Sequence, residues 1–210
     1  MGAGEAITIR QARPGDLGAV AELMVECFPQ EFGLLFGQRL QAACAAVEGI
    51  LRLETGGRVH ALVAEDSSSV IGMLLLESAR RGRLNRSLAT MWRIARDKVG
   101  LRHLPRALLG VALPSYHVKP AEAYIRAIGV TARARRRGVA TRLLQEAGVW
   151  ARANHMTRLA LHVSSDNAGA RSLYRRLGFI ERREETNLLA HLLLGQRSTI
   201  YMSKALEDTP

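Results

Sequence analysis

The stretch Ala127-Ile128-Gly129-Val130-Thr131-Ala132-Arg133-Ala134-Arg135-Arg136-Arg137-Gly138-Val139-Ala140-Thr141-Arg142-Leu143-Leu144 decides how the rest of the chain is read. It passes from a short apolar strand through a basic, glycine-containing turn into an amphipathic helix. The first N–H groups of a helix have no partner in their own helix, and the macrodipole adds partial positive charge there. Arg135, Arg136 and Arg137 precede that end, and Gly138 and Ala140 leave the backbone approachable, so the turn suits a polyphosphate. The spacing is not that of a dinucleotide-binding turn, and no Gly-Lys-Ser/Thr ending follows, which disfavours dinucleotides and nucleoside triphosphates.

At 210 residues the chain suits one domain, 1–210, with room for an insertion. An apolar fraction of 48% supports a sizeable core, and no apolar run is long enough to span a bilayer. The N-terminus carries no signal pattern, and Cys27 and Cys44 fit no disulfide or metal framework; both point to a reducing, cytoplasmic setting. No histidines stand at metal-ligand spacing, so no metal is expected. The net charge is +11, almost all of it from arginine, since only Lys98, Lys119 and Lys204 are lysines. Residues 80–106 carry nine Arg/Lys, Arg80 and Arg106 among them, against Asp97 alone. That patch reads either as a solvated helix face or as a surface for anions: RNA, a ribosomal surface, anionic membrane or an acidic acceptor.

Outward from the opening stretch, period-two alternation predicts strands at 7–10, 60–65, 70–76, 122–130, 159–163, 179–183 and 198–203. Helical spacing of Leu17, Val20, Met24 and Cys27 predicts a helix capped by Asp16, broken by Pro29 and Gly33, with a second at 34–53. Residues 78–120 break the strand rhythm and read as a helical, basic insert. Helices are expected at 141–154 and 166–178, the latter opened by Asp166-Asn167 and closed by Gly178. The result is an α/β fold, with helices flanking a mixed, mostly antiparallel central sheet. The apolar run at 188–194 suits either core or a homodimer contact.

Two blocks give the chain a resemblance to the GCN5-related N-acetyltransferase (GNAT) superfamily. Arg135-x-x-Gly138-x-Ala140 resembles that family's Gln/Arg-x-x-Gly-x-Gly/Ala pyrophosphate turn. Asn167-x-x-Ala170-x-x-Leu173-Tyr174-x-x-Leu177-Gly178-Phe179 resembles its downstream Asn…Ala…Tyr…Gly-Phe block. The opening Ile7-x-Ile9-Arg10-x-Ala12-x-Pro14-x-Asp16 is similar to the family's first strand and turn. Residues 78–120 resemble nothing in it.

The resemblance implies an acyl-CoA N-acyltransferase fold and an acetyl-CoA-dependent N-acetyltransferase that moves the acetyl group to a primary amine by direct attack in a ternary complex. Ile128, Gly129 and Val130 would line the pantetheine arm as an added strand would. Arg135, Arg136, Arg137, Gly138, Val139, Ala140 and Thr141 would hold the pyrophosphate, and Asn167 the pantetheine. Arg142, Arg171 and Arg175 are open alternatives for the 3′-phosphate. The Val130 N–H would stabilise the oxyanion, and Tyr174 would be the general acid beside the thiolate. Glu122 is the candidate base, directly or through water; its other reading is a surface carboxylate paired with Lys119 or Arg126. Glu26 and Glu31 are further candidates, and His162, out of phase with Leu161 and Val163, reads as structural. A competing class is a non-catalytic acyl-CoA-fold module that binds RNA or membrane through residues 80–106.

Overall fold

Among the described residues seven strands form one sheet, most of them β-branched or leucine-rich runs. They are β1 (Thr8–Gln11), β2 (Val59–Asp66), β3 (Ser69–Ser78), β4 (Glu122–Val130), β5 (Arg158–Ser164), β6 (Ile180–Glu185) and β7 (Thr199–Ala205). The computed structural model describes residues 7–55, 57, 59–67, 69–79, 116–186 and 198–206. Strand order is β1-β2-β3-β4-β5-β7-β6, and β4–β5 is the one parallel pair. The sheet is therefore mixed and mostly antiparallel, as the sequence leads one to expect. The parallel pair needs a crossover, supplied by the helix that leaves the arginine turn.

Among the described residues five helices flank the sheet: α1 (Leu17–Cys27), α2 (Pro29–Phe36), α3 (Leu40–Glu54), α4 (Val139–Ala153) and α5 (Ala168–Arg176). Alternation along the strands sends side chains into two cores. One joins Leu74, Leu76, Ala123, Ile125, Leu159 and Leu161 to Leu143, Leu144 and Ala147 of α4 and to Tyr174 of α5. The other joins Val63, Met73, Leu75 and Ala127 to Leu17, Val20 and Leu23 of α1 and Leu51 of α3. Each fully buried leucine contributes about 1.5–3 kcal/mol. The second core contains no residue of β5, β6 or β7, so its helices cover only the β1–β4 half of their face.

The region expected to be one helix at 34–53 is two. Pro29 breaks the first helix as expected, α1 ending at Cys27 with Phe28 out of the helical region, and it also opens α2, because the first helical position needs no N–H donor. Gly33 lies inside α2, and the break falls at Gly37, whose φ of +60° suits a residue without Cβ. Asp16 precedes α1 without capping it: its carboxylate takes the Arg13 N–H (2.6 Å) and pairs with Arg10 (2.6 Å). Most of the expected insert at 78–120, and the run at 188–194, lie outside the described residues; the described edges are the end of β3 at Ser78 and an irregular approach to β4 from Tyr116. Among the described residues no helix is long and apolar enough to cross a membrane.

Gly72 of β3 fixes where α4 starts. A Cβ there would stand 2.9 Å from Val139 Cγ1, 3.2 Å from Leu143 Cδ1 and 3.3 Å from Ala64 Cβ. Gly72→Ala is thus expected to destabilise the fold by about 1–3 kcal/mol through overpacking, measured by chemical denaturation. Because the clash is with the first turn of α4, acetyl-CoA affinity should fall in the same variant.

Candidate active site

β4 and β5 pair only from Glu122↔Arg158 to Ile125↔Leu161, and beyond that point they diverge. A bulge prises them apart: Leu76 faces Ile125 while Leu75 faces Ala127, which leaves Arg126 as the extra residue. Its guanidinium turns to Glu54 of α3 at 2.5 Å. On its other edge β4 continues to pair with β3 as far as Gly72↔Val130. The Thr131 N–H donates to Ile71 C=O at 2.9 Å, which makes Gly72↔Val130 a non-hydrogen-bonded pair. The backbone N–H and C=O of Val130, and by alternation those of Ile128, therefore face the gap. Gly129, between them, has no room for a side chain, since a Cβ would meet Cys27 Sγ at 2.8 Å. Burial pushes the pKa of that thiol up, so Cys27 is a packing group.

The gap ends at the arginine turn. Arg136 at φ +63° and Gly138 at φ +78° both adopt the left-handed region, curving the backbone between them into a concavity of N–H groups. Arg136 bears the strain of that conformation, and Gly138, with open space around it, does not. Gly138 is the N-cap residue of α4 and has no side chain to offer. Among the described residues the N–H groups of Val139, Ala140 and Thr141 thus have no acceptor. Arg137 pairs with Asp66 at 2.9 Å, and Arg135 Nε donates to Val130 C=O at 3.3 Å. That bond ties the turn to the strand and leaves the Val130 N–H free for the gap. The turn and the strand thus suit the pyrophosphate and pantetheine of CoA in shape, donors and charge. Of the three arginines open to the 3′-phosphate, Arg171 and Arg175 both hold Glu181, at 3.1 and 2.7 Å. Arg142 has no carboxylate partner among the described residues. Asn167 caps α5, its Oδ1 accepting the Ala170 N–H at 3.0 Å, so its amide NH₂ is the part available to a ligand.

Where β4 and β5 part, on the face that α1 and α3 leave bare, the strands present a cluster unlike either core. Tyr116, Tyr124, His162 and Tyr201 pack ring to ring, with centroids 4.5–5.7 Å apart. The Tyr124 hydroxyl and His162 Nδ1 are 2.9 Å apart. His162 Nε2 lies 3.3 Å from Glu185 Oε2 without hydrogen-bond alignment, and both it and the Tyr116 hydroxyl are buried with no aligned partner among the described residues. Burial pushes the His162 pKa down, more than the Glu185 carboxylate pushes it up, so the imidazole is neutral at pH 7. Glu122 is not the surface carboxylate one reading of the sequence allows. It is 1% exposed, and Tyr201 donates its O–H to Glu122 Oε2 at 2.7 Å.

Tyr174 lies on the opposite face, in the α4/α5 core, 6% exposed and 5.8 Å from Phe179 between ring centroids. Burial pushes its pKa up to about 12, and its hydroxyl makes no hydrogen bond among the described residues. Glu26 lies at the end of α1, its carboxylate 3.4 Å from the Ala132 N–H.

Sequence reasoning passed over the aromatic cluster. The signal available was the same in three strands: the position out of phase with the core carries Tyr124, His162 or Tyr201 where a strand covered on both faces carries an aliphatic residue. What the alternation cannot show is that β7 inserts beside β5 and brings Tyr201 next to His162.

Comparison with known proteins places these features in a family. The Acetyltransferase (GNAT) family model matches residues 17–179, and the chain belongs to that family. Its acetyl donor is acetyl-CoA. The ribosomal-protein-S18-alanine N-acetyltransferase from Escherichia coli has a similar structure: TM-score 0.60, 16% identity, covering 98% of this chain and 97% of that one. The ribosomal-protein-alanine N-acetyltransferase from Brucella melitensis gives TM-score 0.59 at 19% identity, over 95% and 99%. An N-acetyltransferase from Staphylococcus aureus Mu50 gives 0.61 at 19%, over 96% and 99%. At these identities the likeness is one of fold. No curated protein matches the chain by sequence.

Proposed function

We propose that this acetyltransferase moves the acetyl group to a primary amine that enters from the face of β4, β5 and β7 that α1 and α3 do not cover, and that 1–210 is one catalytic domain. The observation that carries the reading is the arrangement about the gap. Backbone groups of β4 that β3 does not use line the gap, a neutral histidine stands where β4 and β5 part on one face, and Tyr174 is buried on the other face of the sheet. Acetyl-CoA, when bound, supplies an activated thioester carbonyl. The Val130 N–H, aimed into the gap, stabilises the negative charge that develops on the carbonyl oxygen. His162 takes a proton from the attacking amine, and the Tyr124 hydroxyl fixes its ring and tautomer. Glu122 holds Tyr201 and acts through it. Tyr174 returns a proton to the departing sulfur. The nitrogen gains a carbon and loses a proton, the sulfur loses the carbon and gains one, and no acyl-enzyme is needed. Arg142 is the cation left for the 3′-phosphate.

Acetyl-CoA at about 100 times its dissociation constant should stabilise the fold by about 2.7 kcal/mol. In a chain of this size that is a rise in Tm of roughly 5–10 °C, read by thermal shift. A flat response would sink the donor site described above. Free CoA thiol released against a panel of amines, N-terminal peptides included, then tests transfer itself.

A further inference from the structure

Beside the aromatic cluster, on the same face, is a cleft of about 390 Å³ lined by Lys119, Arg158, Arg182, Arg183, Tyr201 and Ser203. Of its described lining residues four of six are cations and none is acidic. On the described surface several arginines take carboxylates: Arg10 with Asp16, Arg52 with Glu48, Arg126 with Glu54, Arg137 with Asp66, and Arg171 and Arg175 with Glu181. In the cleft Arg183 has Glu185, while Lys119, Arg158 and Arg182, like Arg142 outside it, have no carboxylate among the described residues. Lys119 lies over the Tyr201 ring at 5.6 Å, and Arg182 donates to Ser203 Oγ at 3.1 Å. Cations gathered with too few counter-charges raise one another's energy, and a bound anion relieves that.

The cleft continues the reaction centre. Its floor is Tyr201, whose ring lies 5.2 Å from that of His162 and whose hydroxyl is held by Glu122. Arg183 sits 4.9 Å over the other part of the same ring. By way of Tyr201, Arg183 and Lys119 lie within about 10 Å of His162, the reach of roughly three extended residues. The inner end of the path carries the Tyr116 hydroxyl and His162 Nε2, buried polar atoms with no aligned hydrogen bond among the described residues, the latter 3.3 Å from Glu185 Oε2.

We infer that the cleft is the acceptor's anion subsite: the amine that this enzyme acetylates carries an oxyanion, carboxylate or phosphate, within about 10 Å of its nitrogen, held by Lys119, Arg158, Arg182 and Arg183. This rests on the amine entering from the face that α1 and α3 do not cover. Guanidinium forks suit the planar or tetrahedral array of oxygens that both groups offer.

The test compares matched acceptors. One arm sets Ala-Glu-Ala against Ala-Gln-Ala peptides, the other phosphoethanolamine against ethanolamine. For the wild type, kcat/KM should favour the anionic member of at least one arm by tenfold or more, chiefly through KM, and the preference should shrink as salt rises. In Arg158→Gln/Arg182→Gln that ratio should fall below threefold. A peptide preference assigns the carboxylate, an ethanolamine preference the phosphate. A second readout needs no turnover: with CoA saturating its own site, inorganic phosphate should raise the Tm of the wild type and of the Arg152→Gln control, and not that of the double variant. Equal kcat/KM within both pairs, or a phosphate response that survives in the double variant, overturns the subsite. Failure of transfer to every amine while the phosphate response behaves as described would instead overturn the acetyl-transfer reading and leave the anion site standing.

Discussion

Tyr174→Phe is expected to lower kcat by about 10²-fold, the usual contribution of one general acid, while acetyl-CoA affinity moves less than about threefold. The substitution is clean for a physical reason. The ring is buried against Phe179 and the α4/α5 core, so its packing is kept. The hydroxyl bonds to nothing among the described residues, so no buried partner is orphaned. Burial holds the phenol protonated up to about pH 12, which makes it a proton donor throughout any working range. The same shift has a stability readout. Between the ordinary tyrosine value of 10.0 and about 12 the folded state keeps a proton that the unfolded chain releases, so stability falls as pH rises through that window. Tyr174→Phe should remove its share of that fall. A variant whose kcat drops only in step with its cofactor affinity would make Tyr174 a packing residue.

The proposed donor half of this site can be read from the sequence because it is built from consecutive residues. Gly129, Gly138 and Ala140 are recognisable as backbone approaches, and the three arginines as charge, before any strand is paired. The structure supplies reasons the sequence could not. Gly129 is demanded by Cys27 from α1, 102 positions earlier in the chain, and the helix start is set by Gly72 on another strand. Arg135 turned out to be a strut to Val130 C=O as well as a charge. The proposed acceptor half is built from residues that only topology assembles. Tyr124, His162 and Tyr201 lie on β4, β5 and β7, and the lone His162 read as structural because its partners are 38 or more positions away. One reading made Glu122 a surface carboxylate because Lys119 and Arg126 stand close enough in the chain to pair with it; the Tyr201 hydroxyl and the first residues of β5 bury it.

His162→Gln is expected to cost about 10²-fold or more in kcat, since it removes the base while a glutamine amide can still meet the Tyr124 hydroxyl. The pH profile makes the assignment specific. Catalysis needs the imidazole neutral, and burial places its pKa below the ordinary 6.5, so the acid limb of kcat for the wild type should lie below that pH. The groups facing the ring are Tyr116, Tyr124, Tyr201, Glu122, Glu185 and Arg183. Glu185 raises the pKa and Arg183 lowers it, and the two are paired with each other. Glu185→Gln removes the raising charge and frees the lowering one, so both effects carry the acid limb further down. In His162→Gln the limb should be absent. Glu122→Gln separates the two candidate bases. Its amide oxygen can still accept from Tyr201, so a residue acting through that ring should cost less than tenfold and leave the limb in place. If Glu122→Gln erased the limb and His162→Gln did not, the proton would be leaving through Tyr201 to the buried carboxylate, and His162 would be the ring that packs beside it.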